Sequence, residues 1–294
     1  MKLHILYSGK AEGGAQKFAL ALARNQFVTS TISKGNFKTV LESNALSFID
    51  IESLDDYKFD VIVMSDMRAL LFYVKNSNRL KARSLYFIPH TDKILRLAPL
   101  IVSICSFFKI TILPTTRCQK LKFQKKLWYS VGDIPDFVEE NSSVNGVIYF
   151  GRFEGVKRLQ KLIDDFNASS CPQIGLLTLQ GSGEETLERR GSNVRINRTW
   201  LAKKELDSLL SANRFNIVYS KTEGLSLSSL EAVGKGLTPL FYSKYCCTNY
   251  GLDASHLVQG PGDFRDLLDR KFMPNVSIIE SLKKDSEDFS FLYG

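Results

Sequence analysis

The sequence has few of the residues that build metal centres or disulfide frameworks. Only three histidines occur among its 294 residues, and they are widely separated, so little material exists for a multi-histidine metal site. The five cysteines include no CxxC pair and no zinc-type spacing, and their number is odd. We therefore expect no bound metal, no disulfide framework and a reducing compartment.

Long hydrophobic runs are also missing. The best candidate for a membrane span, residues 97–108, covers about twelve residues, whereas a helix needs about 18–20 to cross a bilayer. Residues 1–7 are typical of a strand and not of a signal peptide, because no long apolar core and no small-residue cleavage site are present. The apolar fraction of 44% and the charged fraction of 24% exclude disordered, collagenous and coiled-coil classes. The sequence predicts a soluble or peripheral cytoplasmic protein.

Positive charge is concentrated in the first half of the chain. The sequence holds 39 Lys and Arg against 31 Asp and Glu, a net charge of +8. Residues 68–126 alone hold 13 basic residues and one acid, Asp92. Such a field attracts an anionic partner, for example phospholipid headgroups, a phosphorylated acceptor or nucleic acid. A solvated basic face without a partner is the alternative interpretation.

Short β-rich runs alternate with amphipathic helical stretches, which predicts an open α/β fold with parallel sheets. The predicted strands are residues 3–7, 47–51, 61–64, 84–88, 110–113, 147–150, 174–180, 193–196, 215–219 and 239–242. The predicted helices are residues 15–24, 66–75, 93–108, 156–166, 184–190, 203–212, 227–233, 263–270 and 276–288. A polar, acidic, turn-rich segment at 133–145 interrupts the alternation and predicts two domains.

The most informative stretch is YSKTEGLSLSSLEAVGKGLTP, residues 219–239, in which a predicted strand is followed by a loop and a helix. The free N–H groups of a helix N-terminus suit a diphosphate, and Gly224 allows the backbone to approach a ligand closely. Ser228 and Ser229 offer hydroxyl donors. Taken alone, the pattern also fits an ordinary capped surface helix.

Two carboxylates and two further loops add to this pattern. Glu223 on the loop can accept hydrogen bonds from sugar hydroxyls, and Glu231, about one turn into the helix, can reach a ribose. Another strand-end loop carries Arg152 and Lys157, a fork-shaped and a point cation that hold phosphate in complementary ways. A glycine turn at 181–183 follows a third predicted strand and suits a nucleobase or ribose edge.

Together these loops resemble the donor domain of retaining family-4 glycosyltransferases, which have the GT-B fold. The matching motifs are Gly151-Arg152 with Lys157, the Gly181-Ser182-Gly183 turn, and Glu223 and Glu231 at E-x(7)-E spacing. In the first half, Glu12-Gly13-Gly14-Ala15 is similar to the family's N-terminal glycine loop and His90 to its inter-domain histidine, although a structural histidine is the alternative interpretation.

The resemblance implies two Rossmann-like α/β domains with parallel sheets facing across a cleft. We accordingly predict an acceptor-side domain over residues 1–138, a linker over 139–145, a nucleotide-sugar-binding domain over 146–270, and a helical segment over 271–294 that packs back toward the first domain. The expected activity is metal-independent transfer with retention, without any cofactor besides the nucleotide sugar. No Asp-x-Asp sequence, the metal-diphosphate signature of the other large glycosyltransferase fold, occurs.

The resemblance also implies roles for individual residues. Arg152 and Lys157 would neutralise the departing diphosphate, Glu223 would hold the transferred sugar, and Glu231 would hold the ribose. His90 would contact the sugar from the acceptor side. The further donor-binding residues are Gly13, Gly14, Gly151, Gly181, Gly183, Gly224, Leu225, Ser226 and Ser228.

The resemblance implies transfer of a hexose-type sugar to a saccharide acceptor, from a UDP-sugar as the family's usual donor or from a GDP-sugar as the alternative. A lipid-linked acceptor at the inner face of the plasma membrane, in O-antigen, lipopolysaccharide or capsule synthesis, suits the basic first half. One alternative is a nucleic-acid- or anion-binding protein that uses this basic surface, although no RNP-type aromatic signature, zinc finger or recognition helix accompanies it. A sugar-nucleotide epimerase or phosphorylase on the same fold is another alternative.

Overall fold

The computed structural model describes residues 2–7, 19–20, 23–24, 28–33, 41–42, 45–50, 58–65, 67–88, 94–113, 145–221, 223 and 226–285. The chain divides into two compact units, one formed by Met1–Asp133 with Asp285–Gly294 and the other by Ile134–Lys284. The described residues of each unit form one parallel sheet. The predicted domain boundaries at 138, 146 and 271 stay predictions.

In the first unit, the described residues form a sheet of six strands in the order β3-β2-β1-β4-β5-β6. Its strands are β1 (Leu3–Tyr7), β2 (Val28–Ser33), β3 (Phe48–Asp50), β4 (Lys58–Met64), β5 (Lys81–Phe87) and β6 (Thr111–Ile112). Helix α1 (Met67–Lys75) connects β4 to β5, and helix α2 (Ile94–Phe107) connects β5 to β6. This strand order is that of the nucleotide-binding Rossmann sheet.

The sheet of the second unit has five strands in the order β11-β10-β7-β8-β9, so its first strand is again central. Its strands are β7 (Val147–Arg152), β8 (Leu177–Ser182), β9 (Val194–Asn197), β10 (Phe215–Val218) and β11 (Thr238–Phe241). Its helices are α3 (Leu159–Ser169), α4 (Lys203–Ser211), α5 (Leu227–Gly234), α6 (Lys244–Asn249), α7 (Pro261–Arg265) and α8 (Asn275–Asp285).

Strand β7 is apolar along most of its length because helices cover both faces of the sheet. Val147 and Tyr149 pack in a hydrophobic cluster that includes Phe166 of α3. Ile148 and Phe150 point to the opposite face and pack in a cluster with Leu210, Ala232 and Leu237. Alternation with a period of two thus serves two cores, which explains the uninterrupted apolar run.

The predicted helix at 15–24 lies mostly outside the described residues. Most of the other predicted elements are confirmed to within a few residues, but the predicted helix at 184–190 is wrong. This segment has no regular secondary structure, because side chains of α3 satisfy its backbone. The Glu188 N–H donates to Gln160 Oε1, and Asn167 Nδ2 donates to the Arg190 carbonyl. The strand β2 and the short helix α6 were not predicted. In the described part of the chain, no helix has the length and apolarity needed to cross a membrane.

Candidate functional site

The candidate site lies where β7 and β10 run side by side in the second sheet. The chain proceeds from β7 to β8 and β9 on one side, and β10 and β11 occupy the other side. In sheets of this kind, ligands bind beyond the carboxyl ends of the strands at the point where the strand order reverses. Arg152 ends β7, Ser182 ends β8, and Glu223 follows the end of β10. The predicted loops therefore follow three adjacent strands.

Two glycines allow the ends of β7 and β8 to approach each other closely. Gly151 pairs with Gly181 across the two strands, and their φ angles are +149° and +152°. A Cβ at Gly181 would overlap the Gly151 carbonyl oxygen, so no larger residue fits without movement of the backbone. Gly183 has a φ of +157°, and a Cβ there would overlap the Phe153 carbonyl oxygen. The glycine pattern thus reflects close backbone packing beneath the candidate site.

Two hydrogen bonds fix the main chain at Arg152. The Tyr149 hydroxyl donates a hydrogen bond to the Arg152 carbonyl at 2.6 Å, and the next amide, that of Phe153, donates to the Ser182 carbonyl at 2.9 Å. The Arg152 side chain is 53% exposed and pairs with Glu154 at 3.0 Å. A surface ion pair of this kind contributes little stability, so an incoming anion can displace Glu154.

Lys157 and Glu223 form the central ion pair of the site. Lys157 Nζ donates to Glu223 Oε1 at 2.7 Å, and the two side chains are 20% and 22% exposed. The other carboxylate oxygen, Oε2, accepts from the Ser220 hydroxyl at 3.0 Å. Asn249 Nδ2 donates to the Glu223 carbonyl at 3.4 Å. The structure therefore brings together a predicted phosphate-binding cation and a predicted sugar-binding carboxylate.

Helix α5 begins beside this pair with an N-terminus capped by a side chain. The Ser226 hydroxyl accepts from the Ser229 N–H at 3.4 Å and lies 2.9 Å from the Ser228 hydroxyl. The Tyr250 hydroxyl donates to the Ser226 carbonyl at 2.5 Å. The prediction that the Ser229 hydroxyl serves a ligand is wrong, because this buried group donates to Asn216 Oδ1 at 2.9 Å.

Glu231 lies on α5, four residues after its first residue. Its side chain is half-buried, and its carboxylate has no hydrogen bond or ion pair with any residue that the structure describes. Half-buried carboxylates lose hydration, so a ligand hydroxyl in hydrogen-bonding reach would be favoured here. The predicted site residues Gly13, Gly14, His90, Gly224 and Leu225 lie outside the described residues.

The sequence analysis missed several polar side chains that support the site. Besides Ser220 and Asn249, these are tyrosines near the ends of strands. Burial raises the pKa of the Tyr149 hydroxyl well above its usual value, and the negative charge of Glu223 adds to this effect. Burial likewise raises the pKa of Tyr219, whose hydroxyl donates to Asp165. The sequence signal that could have identified them is a tyrosine within a strand, or directly after one, that leads into a ligand-type loop.

Arg158, directly after Lys157, was also missed. Its backbone is left-handed, with a φ of +57°, and its guanidinium lies 4.1 Å from the ring centre of Tyr242. A hydrogen bond with Arg158 lowers the pKa of the Tyr242 hydroxyl. The residue therefore ends the short 3₁₀ turn Gly155–Lys157 and anchors it to the end of β11.

A groove of about 650 Å³ lies along β8, β9 and α4, next to the Gly181 turn. Its wall includes the linked amides of Gln180 and Asn197, with Asn197 Nδ2 donating to Gln180 Oε1 at 3.1 Å. Among the residues that the structure describes, no group of three or more His, Cys, Asp and Glu side chains could hold a metal ion.

No family model matches the sequence, and no curated protein matches it. Solved structures do match the fold. HepE of Anabaena, determined in complex with UDP-glucose, has a TM-score of 0.65 at 13% identity, over 97% of this chain and 98% of that chain. The lipopolysaccharide outer core galactosyltransferase WaaB has a TM-score of 0.56 at 12% identity, over 99% and 97%. A trehalose-6-phosphate protein of E. coli, bound with UDP-2-fluoro glucose, has a TM-score of 0.61 at 11% identity, over 97% and 96%. The likeness establishes the fold, which is α/β of the GT-B kind.

Proposed function

We propose that this protein is a glycosyltransferase that moves a hexose-type sugar from a nucleotide-sugar donor, a UDP-sugar, to a saccharide acceptor. The observation that carries the proposal is the convergence of Arg152, Lys157 and Glu223 with the start of α5 at the carboxyl ends of β7 and β10. The solved GT-B structures that bind UDP-glucose or UDP-2-fluoro glucose support the choice of donor.

The donor diphosphate would bind between the N-terminus of α5 and the two cations. Free N–H groups at the helix start favour an anion, and Ser228 can add a hydroxyl donor. Lys157 would contribute a point charge, and Arg152 a planar fork that binds two phosphate oxygens at once. Glu231 would accept hydrogen bonds from the ribose hydroxyls and Glu223 from the transferred sugar.

In the reaction, the bond between the anomeric carbon and the donor diphosphate breaks, and a bond from the same carbon to an acceptor oxygen forms. The nucleoside diphosphate leaves with the electron pair of the broken bond, and an oxygen of this departing group takes the proton that the acceptor hydroxyl loses. We propose that Arg152, Lys157 and the dipole of α5 stabilise this growing charge without a metal ion. Retention of the anomeric configuration, with His90 on the acceptor side, belongs to the same proposal.

Nucleotide binding tests this proposal most directly. Isothermal titration with UDP, GDP and their sugar conjugates should give a saturable site for one nucleotide family, in the presence of EDTA as well as of magnesium. Release of free nucleoside diphosphate should require an acceptor. Release without acceptor would favour an epimerase or phosphorylase, and absence of any nucleotide binding would contradict the proposal.

We further propose that the acceptor is lipid-linked and that the protein works at the anionic inner face of a membrane, in surface-polysaccharide synthesis. Neighbouring helices of the first unit support this idea. Helix α1 exposes Arg68, Leu71 and Lys75 at i, i+3 and i+7, and helix α2 exposes Leu100 and Phe107. Leu100 is 58% exposed and Phe107 is 81% exposed.

The charge around these two helices is of one sign. The described segments 67–88 and 94–113 contain seven Lys and Arg residues and no Asp or Glu. Contact between the rings of Tyr73 and Phe108, whose centres are 5.9 Å apart, joins α1 to the end of α2. Exposed apolar side chains flanked by cations fit the boundary between lipid headgroups and acyl chains. A nucleic acid would be attracted by the same cations but would not need the exposed Leu100 and Phe107.

A further inference from the structure

Tyr149 is a buried side chain that contacts the main chain of Arg152, the proposed phosphate-binding arginine. It is 4% exposed and lies in β7, three residues before Arg152. Its ring packs in the hydrophobic cluster of the second unit, and its hydroxyl donates to the Arg152 carbonyl at 2.6 Å. A Cβ added at Gly151 would lie 3.1 Å from this hydroxyl, so the hydroxyl sits directly against the Gly151-Arg152 backbone.

Three contacts fix the backbone of this turn, and the hydrogen bond from Tyr149 is one of them. The Gly151 carbonyl is packed against Gly181, and the Phe153 N–H is bonded to the Ser182 carbonyl. The third contact is the hydrogen bond that the Arg152 carbonyl accepts from the Tyr149 hydroxyl. The Arg152 side chain is thus carried by an anchored backbone while it stays 53% exposed itself.

The Tyr149 hydroxyl also responds to the charges of the site. Burial raises its pKa first, and the carboxylates of Glu223, Glu154 and Glu185 raise it further, whereas Arg152 lowers it. The hydroxyl therefore stays protonated at physiological pH and remains a donor. A neutral donor can hold the Arg152 carbonyl without competing with phosphate for the guanidinium.

We propose that Tyr149 is a positioning residue that acts through Arg152: its hydroxyl fixes the turn so that the guanidinium meets the leaving diphosphate in the productive geometry. The inference rests on the proposed function, since it assumes that Arg152 stabilises the departing group. A misplacement of about 1 Å at a reacting centre can cost about two orders of magnitude in rate. One buried hydrogen bond can therefore affect turnover more than it affects folding.

The test is a double-mutant cycle on turnover with Tyr149→Phe, Arg152→Ala and the double variant. Phenylalanine keeps the ring in its cluster and removes only the hydroxyl. We expect Tyr149→Phe to lower kcat about tenfold, because the net contribution of one hydrogen bond corresponds to about a tenfold change in rate. The donor KM should change by less than about threefold. In the Arg152→Ala background the same substitution should change kcat less than about twofold, because no guanidinium remains to be positioned.

Tyr219→Phe is the matched control. Tyr219 is also a buried tyrosine of the second unit, but its hydroxyl donates to Asp165. Any effect of Tyr219→Phe on kcat should be the same in both backgrounds.

Each outcome has a definite meaning. If Tyr149→Phe lowers kcat by the same factor with and without Arg152, the hydroxyl acts on the fold at large and the inference is wrong. If Arg152→Ala lowers kcat and Tyr149→Phe does not, the inference fails alone and the proposed function stands. If Arg152→Ala leaves kcat unchanged, the assumed role of Arg152 fails, and the inference falls with it.

Discussion

Lys157 Nζ and Glu223 Oε1 lie 2.7 Å apart, so the cation proposed to bind the donor diphosphate and the carboxylate proposed to bind the transferred sugar form an ion pair with each other. The pair is four-fifths buried, and Ser220 holds the second carboxylate oxygen. A diphosphate would draw Lys157 toward itself, and the freed oxygen of Glu223 would then face the sugar. The ion pair therefore keeps both side chains close to their proposed working positions.

Replacement of Lys157 by methionine should reduce turnover far more than donor affinity. The charge on the diphosphate grows toward the transition state, and removal of one such donor typically lowers kcat about 10²–10³-fold. Steady-state kinetics with a nucleotide sugar measures the effect. Lys235→Met is the control, because Lys235 is also 20% exposed and also pairs with a carboxylate, Asp207 at 3.4 Å. A raised donor KM with unchanged kcat would assign Lys157 to ground-state binding.

Glu231→Ala should weaken nucleotide binding and leave the fold unchanged. The carboxylate has no partner among the described residues, so its removal breaks no contact there. Loss of a charged hydrogen-bond acceptor should cost the ligand on the order of 1.5–3 kcal/mol, which corresponds to roughly 10–150-fold in Kd. Calorimetry gives the affinity, and the melting temperature without ligand provides the control. Equal nucleotide affinity in the two proteins would remove Glu231 from the site.

Gly181→Ala should destabilise the second unit strongly. Its φ of +152° is unfavourable for alanine, and the new Cβ would overlap the Gly151 carbonyl oxygen. We expect a loss of about 1–3 kcal/mol in the free energy of unfolding, or more if the strands cannot separate. Gly175→Ala is the matched control, because a Cβ at Gly175 has no neighbour within 4 Å. Equal unfolding midpoints for the two variants in denaturant would contradict this account.

The strand and helix order could be predicted because it depends on local patterns. Most β-strands of the second sheet are short runs rich in apolar residues, and the loops after β7, β8 and β10 contain glycine and charged residues. The pairing of Lys157 with Glu223 joins residues 66 positions apart and depends on the order β7-β10, which periodicity does not contain. The roles of these two residues were inferred from a resemblance, and their contact is known only from the fold.

The two wrong predictions, the helix at 184–190 and the ligand-binding role of the Ser229 hydroxyl, also have physical reasons. The composition of residues 184–190 favours a helix, but contacts with Gln160 and Asn167 override local propensity. Ser229 follows a loop rich in hydroxyls, yet it faces the core, where Asn216 accepts its hydrogen bond. Neither the tertiary override nor the direction of the Ser229 side chain could be derived from spacing alone.

The free energy of unfolding should fall as the pH drops below about 6.5. His256 is fully buried, its Nδ1 lies 2.8 Å from the Pro239 carbonyl, and its Nε2 accepts from the Met273 N–H at 3.2 Å. A carbonyl only accepts and an amide only donates, so this histidine is neutral when folded. Burial lowers its pKa below the ordinary value of 6.5, and burial likewise lowers the pKa of His4.

The sign follows from proton binding. Below pH 6.5 the unfolded chain protonates these histidines while the folded chain does not, so stability present at pH 7.5 is lost as the pH falls toward the folded-state pKa values. The slope can reach about 1.4 kcal/mol per pH unit for each histidine. Urea unfolding at several pH values between 7.5 and 5.5 gives the free energy of unfolding at each pH. In His256→Asn this free energy should change less with pH than in the unmodified protein. A slope unchanged in both His256→Asn and His4→Asn would contradict this origin.

Binding to anionic vesicles should depend on the exposed faces of α1 and α2. Each basic residue near such a surface contributes roughly 1 kcal/mol, and attraction across water weakens as salt shortens the Debye length from about 10 Å at 0.1 M. Lys75→Glu should weaken binding mainly at low salt, whereas Phe107→Ser should weaken it at all salt concentrations, because an apolar contact is not screened.

Trp200→Ser is the control, since Trp200 is 64% exposed but belongs to the second unit. Co-sedimentation with vesicles of graded anionic lipid content measures these effects. Equal binding to neutral and anionic vesicles would contradict a role for the basic residues, and binding to oligonucleotides that is unaffected by Phe107→Ser would favour a nucleic-acid partner for this surface.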